Sequence, residues 1–359
     1  MIGFVELRTE NDKRKTNLKT AVVILNYNGR HFLAQFLPSV VANTPEAEIV
    51  VADNCSTDGS ADWLRQHFPQ VRLIENPTNE GYAGGYNTAL RQIQADYYVL
   101  LNSDVEVPPG WLGPLLGLLD AMPDVAACQP KLLEYGRKTH FEYAGAAGGY
   151  IDWLGYPFCR GRIFQHLEPD TGQYDDTRPV FWASGACFVV RASMFWQLGG
   201  FEAAFFAHME EIDLCWRMHN AGQRIYYCAE SHVYHVGAGT LSAGSPRKTF
   251  LNFRNSLAML YKNLPRTRLV GIIFLRLLLD GVAGAIFLIQ KKPAHCWAII
   301  RAHFVFYKNF TFWMKQRRNT ARKKNGFGML MYSRSLVWSH FVRNKKTFKE
   351  LHFQPHFNA

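Results

Sequence analysis

Acidic residues that could bind a ligand or a cation follow directly after two predicted strands. Asp53 ends the run EIVVAD, and Asp104 ends the Asn-Ser-Asp segment that follows YYVLL. A carboxylate at a strand end can accept hydrogen bonds from a ribose hydroxyl, or it can hold Mg²⁺ or Mn²⁺, which prefer oxygen ligands. For Asp104, a turn towards the nearby Pro-Pro-Gly explains the residue types equally well. For Asp53, ligand binding is the favoured interpretation.

A second group of acids lies in HMEEIDLCWR, which is predicted to be a helix. Glu210 and Glu211 are adjacent, so their side chains point about 100° apart and only one can face a cleft squarely. In such a cleft a carboxylate can act as the general base for a hydroxyl group. Asp213 has a simpler alternative role, because Arg217 lies four residues later and can pair with it.

Two weaker signals accompany these acids. The segment NPTNEGYAGGYN, residues 76–87, places Gly81, Gly84 and Gly85 just before a predicted helix. Backbone N–H groups at a helix N-terminus suit a pyrophosphate, although this is not the GxGxxG dinucleotide fingerprint. His235 ends an aromatic strand, where a histidine usually packs in the core. It becomes a candidate metal ligand only if Asp104 already holds the metal.

The elements that must position these residues alternate regularly in the first hundred residues. Apolar runs ending at Asn26, Asp53, Asn76 and Asn102 predict four strands, separated by helical segments with short connections. This order predicts an α/β fold with an open, mostly parallel sheet and helices on both faces. Such sheets bind ligands at the carboxyl ends of their strands. Residues 132–179 show no long periodic stretch, and a strand with a short helix, a helix and a final strand follow.

Charge is distributed unevenly along the chain. The formal net charge is +11, but residues 260–359 contain 19 Lys or Arg and only two acids, a net charge of +17 that leaves −6 for the rest. Residues 269–289 are apolar except for Arg276 and Asp280, which are four residues apart and can pair. Each charge would cost about 2.5–3.5 kcal/mol near a bilayer centre, so a helix lying in the membrane interface is favoured over a span.

The basic region also indicates which surface it binds. Lys and Arg alternate with Phe, Tyr and Trp in HFVFYKNFTFWMKQRRNTARKKN, a composition that suits anionic lipid. We therefore expect residues 266–349 to contact an anionic membrane surface. A nucleic acid is a less favoured partner, because the basic segments adjoin the apolar helix.

The cysteines and the N-terminus indicate a cytoplasmic location. The seven cysteines are odd in number and include no CxxC pair, which predicts buried thiols in a reducing compartment. They are Cys55, Cys128, Cys159, Cys187, Cys215, Cys228 and Cys296. The first residues lack the apolar core of a signal peptide, so we expect the protein on the cytoplasmic face of the membrane.

Taken in order, seven segments resemble glycosyltransferase family 2, whose members have the GT-A fold. They are VVILNYNGR, VADNCSTDGS, NPTNEGYAGGYN, YYVLLNSDVEV, ASGACFVVRASMF, HMEEIDLCWRMHNAG and VYHVGAGT, and they cover residues 21–240. Within the family they are most similar to the rhamnosyltransferase-like branch that builds bacterial surface polysaccharides. The resemblance implies an N-terminal extension (1–18), a catalytic domain (19–262) and a basic, helical, membrane-associating region (263–359).

The resemblance also implies residue roles. Glu211 would be the general base, with Glu210 in reserve, and Asp104 and His235 would bind a divalent cation, Mg²⁺ or Mn²⁺. The nucleotide-sugar would contact Asn26, Tyr27, Asn28, Asp53, Asn79, Gly81, Asn87, Asn102 and Asp104. The acceptor or transferred sugar would contact Trp182, Ser184, Gly185 and Asp213, and phosphate would contact Arg247, Lys248 and Arg254, which are otherwise solvated helix charges.

These roles imply an inverting glycosyltransferase. It would move a sugar from a UDP- or dTDP-linked donor, with dTDP-rhamnose as one option, to a polysaccharide or lipid-linked hydroxyl. The sequence departs from the family pattern at Asn102, where an acid is expected, and at Glu211, where Asp is commoner. Both departures favour the alternative of a non-catalytic nucleotide-sugar or polysaccharide-binding protein. A nucleotidyltransferase would need a basic, glycine-rich loop after the first strand, and NYNGR does not provide one.

Overall fold

The computed structural model describes residues 18–237, 244–320 and 330–355. Four parallel strands, β1 to β4, form one half of its central sheet. Strand β1 lies between β2 and β4, and β3 continues the sheet beyond β2. The β-branched and apolar residues of β1 are almost all buried, as a strand covered on both faces requires. The four strands are β1 Thr20–Asn26, β2 Glu48–Asp53, β3 Arg72–Glu75 and β4 Tyr97–Asn102.

The second half of this sheet is mixed, whereas a mostly parallel sheet is predicted. Strand β13 runs antiparallel to both β4 and β6, and β14 then pairs parallel with β6. Strand β12 lies beyond β14, and β5 and β7 pair with β14 and β6 respectively. The bounds are β5 Val105–Glu106, β6 Val125–Glu134, β7 Arg137–Phe141, β12 Arg178–Pro179, β13 Cys187–Arg191 and β14 Arg224–His235.

Helices cover both faces of the central sheet, as the alternation predicts. Ala21 and Val23 of β1 belong to one buried apolar cluster, and Val22 and Ile24 belong to another on the opposite face. Helices α1, α2 and α4 pack into the second cluster, and α3, α5, α6 and α7 pack into the first. The bounds are α1 Arg30–Asn43, α2 Ser60–His67, α3 Gly81–Leu90, α4 Gly113–Ala121, α5 Ala192–Gln197, α6 Glu210–Asn220 and α7 Pro246–Asn263.

Much of the segment without clear periodicity forms a second, smaller sheet in the order β11-β10-β9-β8-β15. Strands of two to four residues are too short to produce a recognisable alternation. The edge strand β15 comes from near the C-terminus and pairs in parallel with β8. The bounds are β8 Gly149–Asp152, β9 Pro157–Cys159, β10 Arg162–Ile163, β11 His166–Leu167 and β15 Met331–Tyr332.

Three helices follow α7, namely α8 Arg266–Ile289, α9 Pro293–Lys308 and α10 Phe310–Asn319. Helix α8 is long and apolar enough to cross a membrane by length and composition. The buried residues of α8 include both charged residues, Arg276 and Asp280. Arg276 Nε lies 3.8 Å from Asp280 Oδ1, which confirms the predicted pair. Arg276 donates a hydrogen bond to the carbonyl oxygen of Leu154 beside β8. The other faces of α8 expose large apolar side chains.

The cysteines form no disulfide, as predicted. Five thiols are buried in the core, Cys55 is exposed and Cys296 is partly buried.

Candidate active site

The carboxyl ends of β1 and β2 meet, because Asn26 pairs in register with Asp53. The Asn26 amide donates to Asp53 Oδ1 at 2.9 Å, and Ser56 N donates to Asp53 Oδ2 at 2.8 Å. Asn26 and Asp53 are both buried. Since each carboxylate oxygen can accept a second hydrogen bond, Asp53 shapes the loop and keeps the capacity to accept from a ligand.

The loop after β1 adds further polar groups next to Asn26 and Asp53. Asn28 has a positive φ of 51°, its backbone N–H donates to Ser56 Oγ, and its side-chain oxygen accepts from Thr57 N at 2.7 Å. Tyr27 next to it is 37% exposed. A half-exposed ring above a network of satisfied polar groups suits stacking with a planar ligand.

Asp104 and His235 meet because the short strand β5 pairs with the end of β14, with His235 opposite Val105. Asp104 Oδ1 lies 3.1 Å from His235 Nε2, and the Asn102 amide lies 3.2 Å from the same nitrogen. The backbone also links them, since Val236 N donates to the Asp104 carbonyl. Both side chains are buried. The sheet thus brings into contact two residues that are 131 positions apart in the sequence.

A second carboxylate, Glu142, lies on the other side of the His235 ring. Glu142 Oε1 is 3.2 Å from His235 Nδ1. Burial disfavours the charged imidazolium, but the carboxylates of Glu142 and Asp104 outweigh it and raise the pKa of His235 to about 10. The ring is therefore held between two acids.

Glu210 and Glu211 begin helix α6, where the helix dipole favours carboxylates. Burial and the neighbouring Glu211 raise the pKa of Glu210 well above its ordinary value. Burial also raises the pKa of Glu211 to about 7, with the backbone N–H groups at the helix start opposing the shift. The surroundings thus favour the protonated form of both carboxyl groups, and burial is the main cause for each.

The loop before the acid pair has an unusual backbone. Phe206, His208 and Met209 all have positive φ angles, between 66° and 74°. Each such conformation costs about 1–3 kcal/mol for a residue other than glycine, and it persists only where surrounding contacts impose it. Such contacts are present, since Ala83 N donates to the Phe206 carbonyl. The Asn255 amide of α7 lies 2.8–3.0 Å from the carbonyl oxygens of residues 205, 207 and 208.

The site thus combines strand-end polar groups, a buried Asp–His pair and an acid pair at a helix start. A family model described as glycosyl transferase family 2 matches residues 21–199. The chain belongs to glycosyl transferase family 2. The predicted family is therefore confirmed, and the protein is a glycosyltransferase.

Relatives of this family 2 member include rhamnosyltransferases. An N-acetylglucosaminyl-diphospho-decaprenol L-rhamnosyltransferase of Mycobacterium tuberculosis is 29% identical over 60% of this chain and 75% of its own. Rhamnosyltransferase WbbL of Escherichia coli is 23% identical over 70% and 94%. The structure of GalNAc-T7 with UDP, GalNAc and Mn²⁺ aligns with a TM-score of 0.54 at 18% identity. It covers 69% of this chain, which spans about half of that one, and it shows the GT-A fold.

The residues at the Asp104–His235 pair fit a divalent cation, which the GalNAc-T7 structure contains as Mn²⁺. One carboxylate oxygen and one imidazole nitrogen converge in a buried position, a donor pair suited to Mn²⁺. Among residues 18–237, 244–320 and 330–355, no group of three or more His, Cys, Asp or Glu is arranged to hold an ion. The remaining ligands would therefore be substrate oxygens or water.

The glycine segment differs from its prediction. Helix α3 begins at Gly81, so Gly84 and Gly85 lie inside the helix and not in a loop before it. A Cβ on Gly81, whose φ is +72°, would approach the Phe206 carbonyl oxygen to 2.3 Å. Asn79 accepts from Gly81 N and from the Asn54 amide. The segment thus allows close packing of α3 against the loop before the acid pair.

Two predicted ligand contacts are replaced by structural roles. Both polar atoms of the Asn87 side chain bond the backbone of Phe201, with distances of 2.8 and 2.9 Å, which leaves the predicted nucleotide contact unsupported. Asp213 is fully buried and bonds Arg217, Lys262 and Asn263 instead of an acceptor. Although burial opposes it, the Lys262 and Arg217 charges hold the pKa of Asp213 below its ordinary value.

The predicted acceptor residues also serve the scaffold. Trp182 is buried and donates its indole N–H to the Tyr150 carbonyl of β8. Ser184 is buried, and its hydroxyl accepts from Ala186 N. Gly185 differs, because its carbonyl accepts a hydrogen bond from Tyr82 at 2.7 Å. Burial, Tyr86 and the two acids raise the pKa of Tyr82 well above its ordinary value, so Gly185 lies near the acid pair.

The predicted phosphate-binding residues divide into two groups. Arg254 donates to the carbonyl oxygens of residues 204 and 205 and supports the loop before the acid pair, so it is engaged elsewhere than predicted. Arg247 lies over the Phe206 ring at 4.8 Å. Lys248 is partly buried, which lowers its pKa, and it interacts electrostatically with Glu142 and His208. Lys248 therefore lies near both Glu142, which contacts His235, and the loop before the acid pair, whereas Arg247 contacts that loop.

Sequence reasoning missed Glu142, Tyr82, His208 and Asn255. Tyr82 lies inside the recognised glycine segment and could have been proposed from it. Glu142 lies in the segment without periodicity, and nothing in its neighbours distinguishes it. Asn255 looks like an ordinary polar helix residue, because its function depends on backbone geometry 47–50 residues earlier.

Proposed function

We propose that this glycosyltransferase is an inverting, metal-dependent hexosyltransferase. It would transfer a sugar from a UDP- or dTDP-linked donor, with dTDP-rhamnose as the leading candidate, to a hydroxyl of a lipid-linked or growing surface glycan. The observation that carries the proposal is the acid pair at the start of α6, in which Glu210 is buried and Glu211 is partly exposed, with a pKa raised to about 7. A base whose pKa lies near the working pH is the most effective kind. The rhamnosyltransferase relatives support the donor and acceptor class.

In this proposal Tyr27, Asn28 and Asp53 bind the nucleoside. Asp104 and His235 hold the divalent cation, Mn²⁺ or Mg²⁺. When bound, this ion would neutralise charge on the departing nucleoside diphosphate. Arg247 and Lys248 add positive charge at the same place. Glu211 accepts the proton of the acceptor hydroxyl, and the raised pKa of Glu210 favours its uncharged form, which reduces repulsion between the two acids. The hydroxyl attacks from the face opposite the leaving group, so a single displacement inverts the anomeric configuration.

The pattern of burial in α8 and α9 supports a membrane partner, because charged side chains of α8 are buried and large apolar side chains of both helices are exposed. Arg276 and Asp280 are buried, whereas Val270, Phe274 and Ile289 are 60–81% exposed. In α9, Trp297 and Phe304 are 65% and 67% exposed. Helices α8, α9 and α10 contain a single carboxylate, the buried Asp280, and they carry many Lys and Arg. A surface with exposed apolar side chains, basic groups and no exposed acid complements anionic lipid, so we propose peripheral attachment to the cytoplasmic face.

The test is release of nucleoside diphosphate from a panel of UDP-, dTDP- and GDP-sugars with Mn²⁺, Mg²⁺ or EDTA. Wild type would be compared with Asp104→Ala, Glu211→Gln and the control Glu48→Gln, which lies at the start of β2, opposite the site. Metal-dependent turnover that the first two variants lose and the control retains would support the proposal. Donor binding without turnover, even with membrane extract as acceptor, would favour a binding protein with a degenerate site.

A further inference from the structure

Glu142 is a buried carboxylate outside the recognised motifs, and it touches the imidazole that Asp104 also touches. It follows strand β7 and is 3% exposed. Its backbone N–H bonds the Leu132 carbonyl, and its Oε2 accepts from Ala144 N at 2.6 Å. One carboxylate oxygen is thus fixed by the backbone, and Oε1 lies within ion-pair distance of His235 Nδ1, at 3.2 Å, although that nitrogen makes no hydrogen bond among the described residues.

The backbone after β14 also accommodates this carboxylate. Gly237 has a φ of +73°, and a Cβ there would lie 3.0 Å from Glu142 Oε1. A side chain at this position would push against the acid that contacts His235. Because Gly237 has no side chain, the backbone after β14 leaves room for the Glu142 carboxylate on the Nδ1 side of the His235 ring.

A histidine can ligate a cation only through a nitrogen that carries no proton. If Nδ1–H donates to a carboxylate, the free lone pair must be on Nε2. His235 Nε2 is the atom that faces Asp104. A cation held by Asp104 would therefore take the place of the proton on Nε2, while Glu142 on the other side of the ring favours the proton at Nδ1. Outer carboxylates of this kind fix ring orientation and increase ligand basicity.

We propose that Glu142 is a positioning residue that holds His235 in the tautomer and orientation needed to bind the divalent cation together with Asp104. This inference rests on the proposed function, because it assumes that the Asp104–His235 pair binds a cation. Glu142 itself touches neither substrate nor reacting atoms. Loss of such an outer partner typically lowers metal affinity 10–100-fold.

The test measures Mn²⁺ binding directly, by electron paramagnetic resonance of free Mn²⁺, in the presence of UDP or dTDP. Glu142→Gln is the main variant, because it keeps size and removes charge, and Glu142→Ala is the second. Glu48→Gln is the control. We expect the Glu142 variants to bind Mn²⁺ about 10–100-fold more weakly, with unchanged nucleotide affinity in EDTA.

A double-mutant cycle separates positioning from a merely structural role. If Glu142 acts through His235, Glu142→Gln should cause no further loss of Mn²⁺ affinity in a His235→Ala background. Additive losses, or wild-type affinity in Glu142→Gln, would overturn the inference while leaving the proposed function standing. Absence of Mn²⁺ binding by the wild type with either nucleotide would instead overturn the proposed cation site itself.

Discussion

The side-chain amide of Asn255 lies 2.8 Å from the carbonyl oxygen of His208, two residues before the acid pair. One nitrogen on α7 thereby restrains a loop in which three residues other than glycine have positive φ. Asn255 lies more than 40 residues after the acids in the sequence, yet its side chain contacts the loop that leads into them.

We expect Asn255→Ala to lower kcat more than it changes the donor KM. Without the amide, the loop can relax towards ordinary backbone angles and carry Glu211 away, and a displacement near 1 Å can cost about 100-fold in rate. Steady-state kinetics would measure this effect. The matched control is Asn309→Ala between α9 and α10, where the exposed amide donates to the Val305 carbonyl of α9. Equal kcat in Asn255→Ala and wild type would show that the loop holds its shape without the amide.

The rate should depend on pH through the acid pair. Since Glu211 must be ionised to accept a proton and its pKa is raised to about 7, kcat/KM should rise as pH increases through about 7 and level off above it. Glu211→Gln should lose about 10²–10⁴-fold in kcat and lack this rise. A Glu211→Gln enzyme that keeps both rate and pH profile, beside an inactive Glu210→Gln, would assign the base to Glu210.

Glu210→Gln should stabilise the fold at alkaline pH. The pKa of Glu210 is raised in the folded state, so its ionisation opposes folding. This cost is absent below the ordinary pKa of 4.5, appears as pH rises above it, and is largest above the folded-state pKa. Thermal unfolding should therefore show a higher Tm for the variant at pH 9, and little difference near pH 4. The reverse order at pH 9 would mean that the folded state favours the carboxylate.

Asp213→Asn should destabilise the protein by about 3 kcal/mol without a specific effect on the acceptor. The substitution leaves Lys262 and Arg217 with too little buried negative charge, and loss of one partner of a buried pair costs roughly 3–5 kcal/mol. Lys262 retains Glu202 at 2.9 Å, which favours the lower figure. Urea unfolding measures the loss, and acceptor KM in the folded fraction should stay as in wild type. A stable variant with a raised acceptor KM would restore the sugar-binding role.

Membrane attachment should depend on the exposed aromatic residues of α9. The double variant Trp297→Ser, Phe304→Ser should sediment less with vesicles of phosphatidylglycerol, while its turnover with a soluble acceptor stays unchanged. Leu18→Ser is the matched control, since Leu18 is also exposed but lies before β1. Equal binding of wild type to neutral phosphatidylcholine vesicles would remove the role of the basic residues, and binding to neither would contradict the proposal.

The sequence predicts the part of the structure that regular patterns specify. Buried strands that end in polar residues indicate the sheet, and its carboxyl edge then brings Asn26, Asp53 and Asn102 together. The pairing of Arg276 with Asp280 follows from helix periodicity. The second sheet could not be predicted, because its strands are too short to alternate visibly.

The site was predictable only where a motif carries it. Asp104 and His235 were candidates, but their contact depends on β5, a strand of two residues. The role of Glu142 follows from that contact and has no signal of its own. The strained loop could not be predicted, because Phe206 and Met209 rarely adopt positive φ and a single histidine between them is too weak a signal. Asp213 shows the opposite case, since helix spacing alone favoured its pairing with Arg217.

The pairing of β8 with β15 also sets the timing of folding. Asp152 of β8 accepts a hydrogen bond from Leu336, 184 residues later, so the smaller sheet cannot be completed until nearly the whole chain has left the ribosome. At ordinary translation rates this delay is about 10–40 s. During that time the edge of β8 that later pairs with β15 stays unpaired. Helices α8 and α9, with their exposed apolar side chains, have already been synthesised. A newly synthesised chain is thus exposed to aggregation until β15 and Leu336 have been made, unless a chaperone or a membrane shields it.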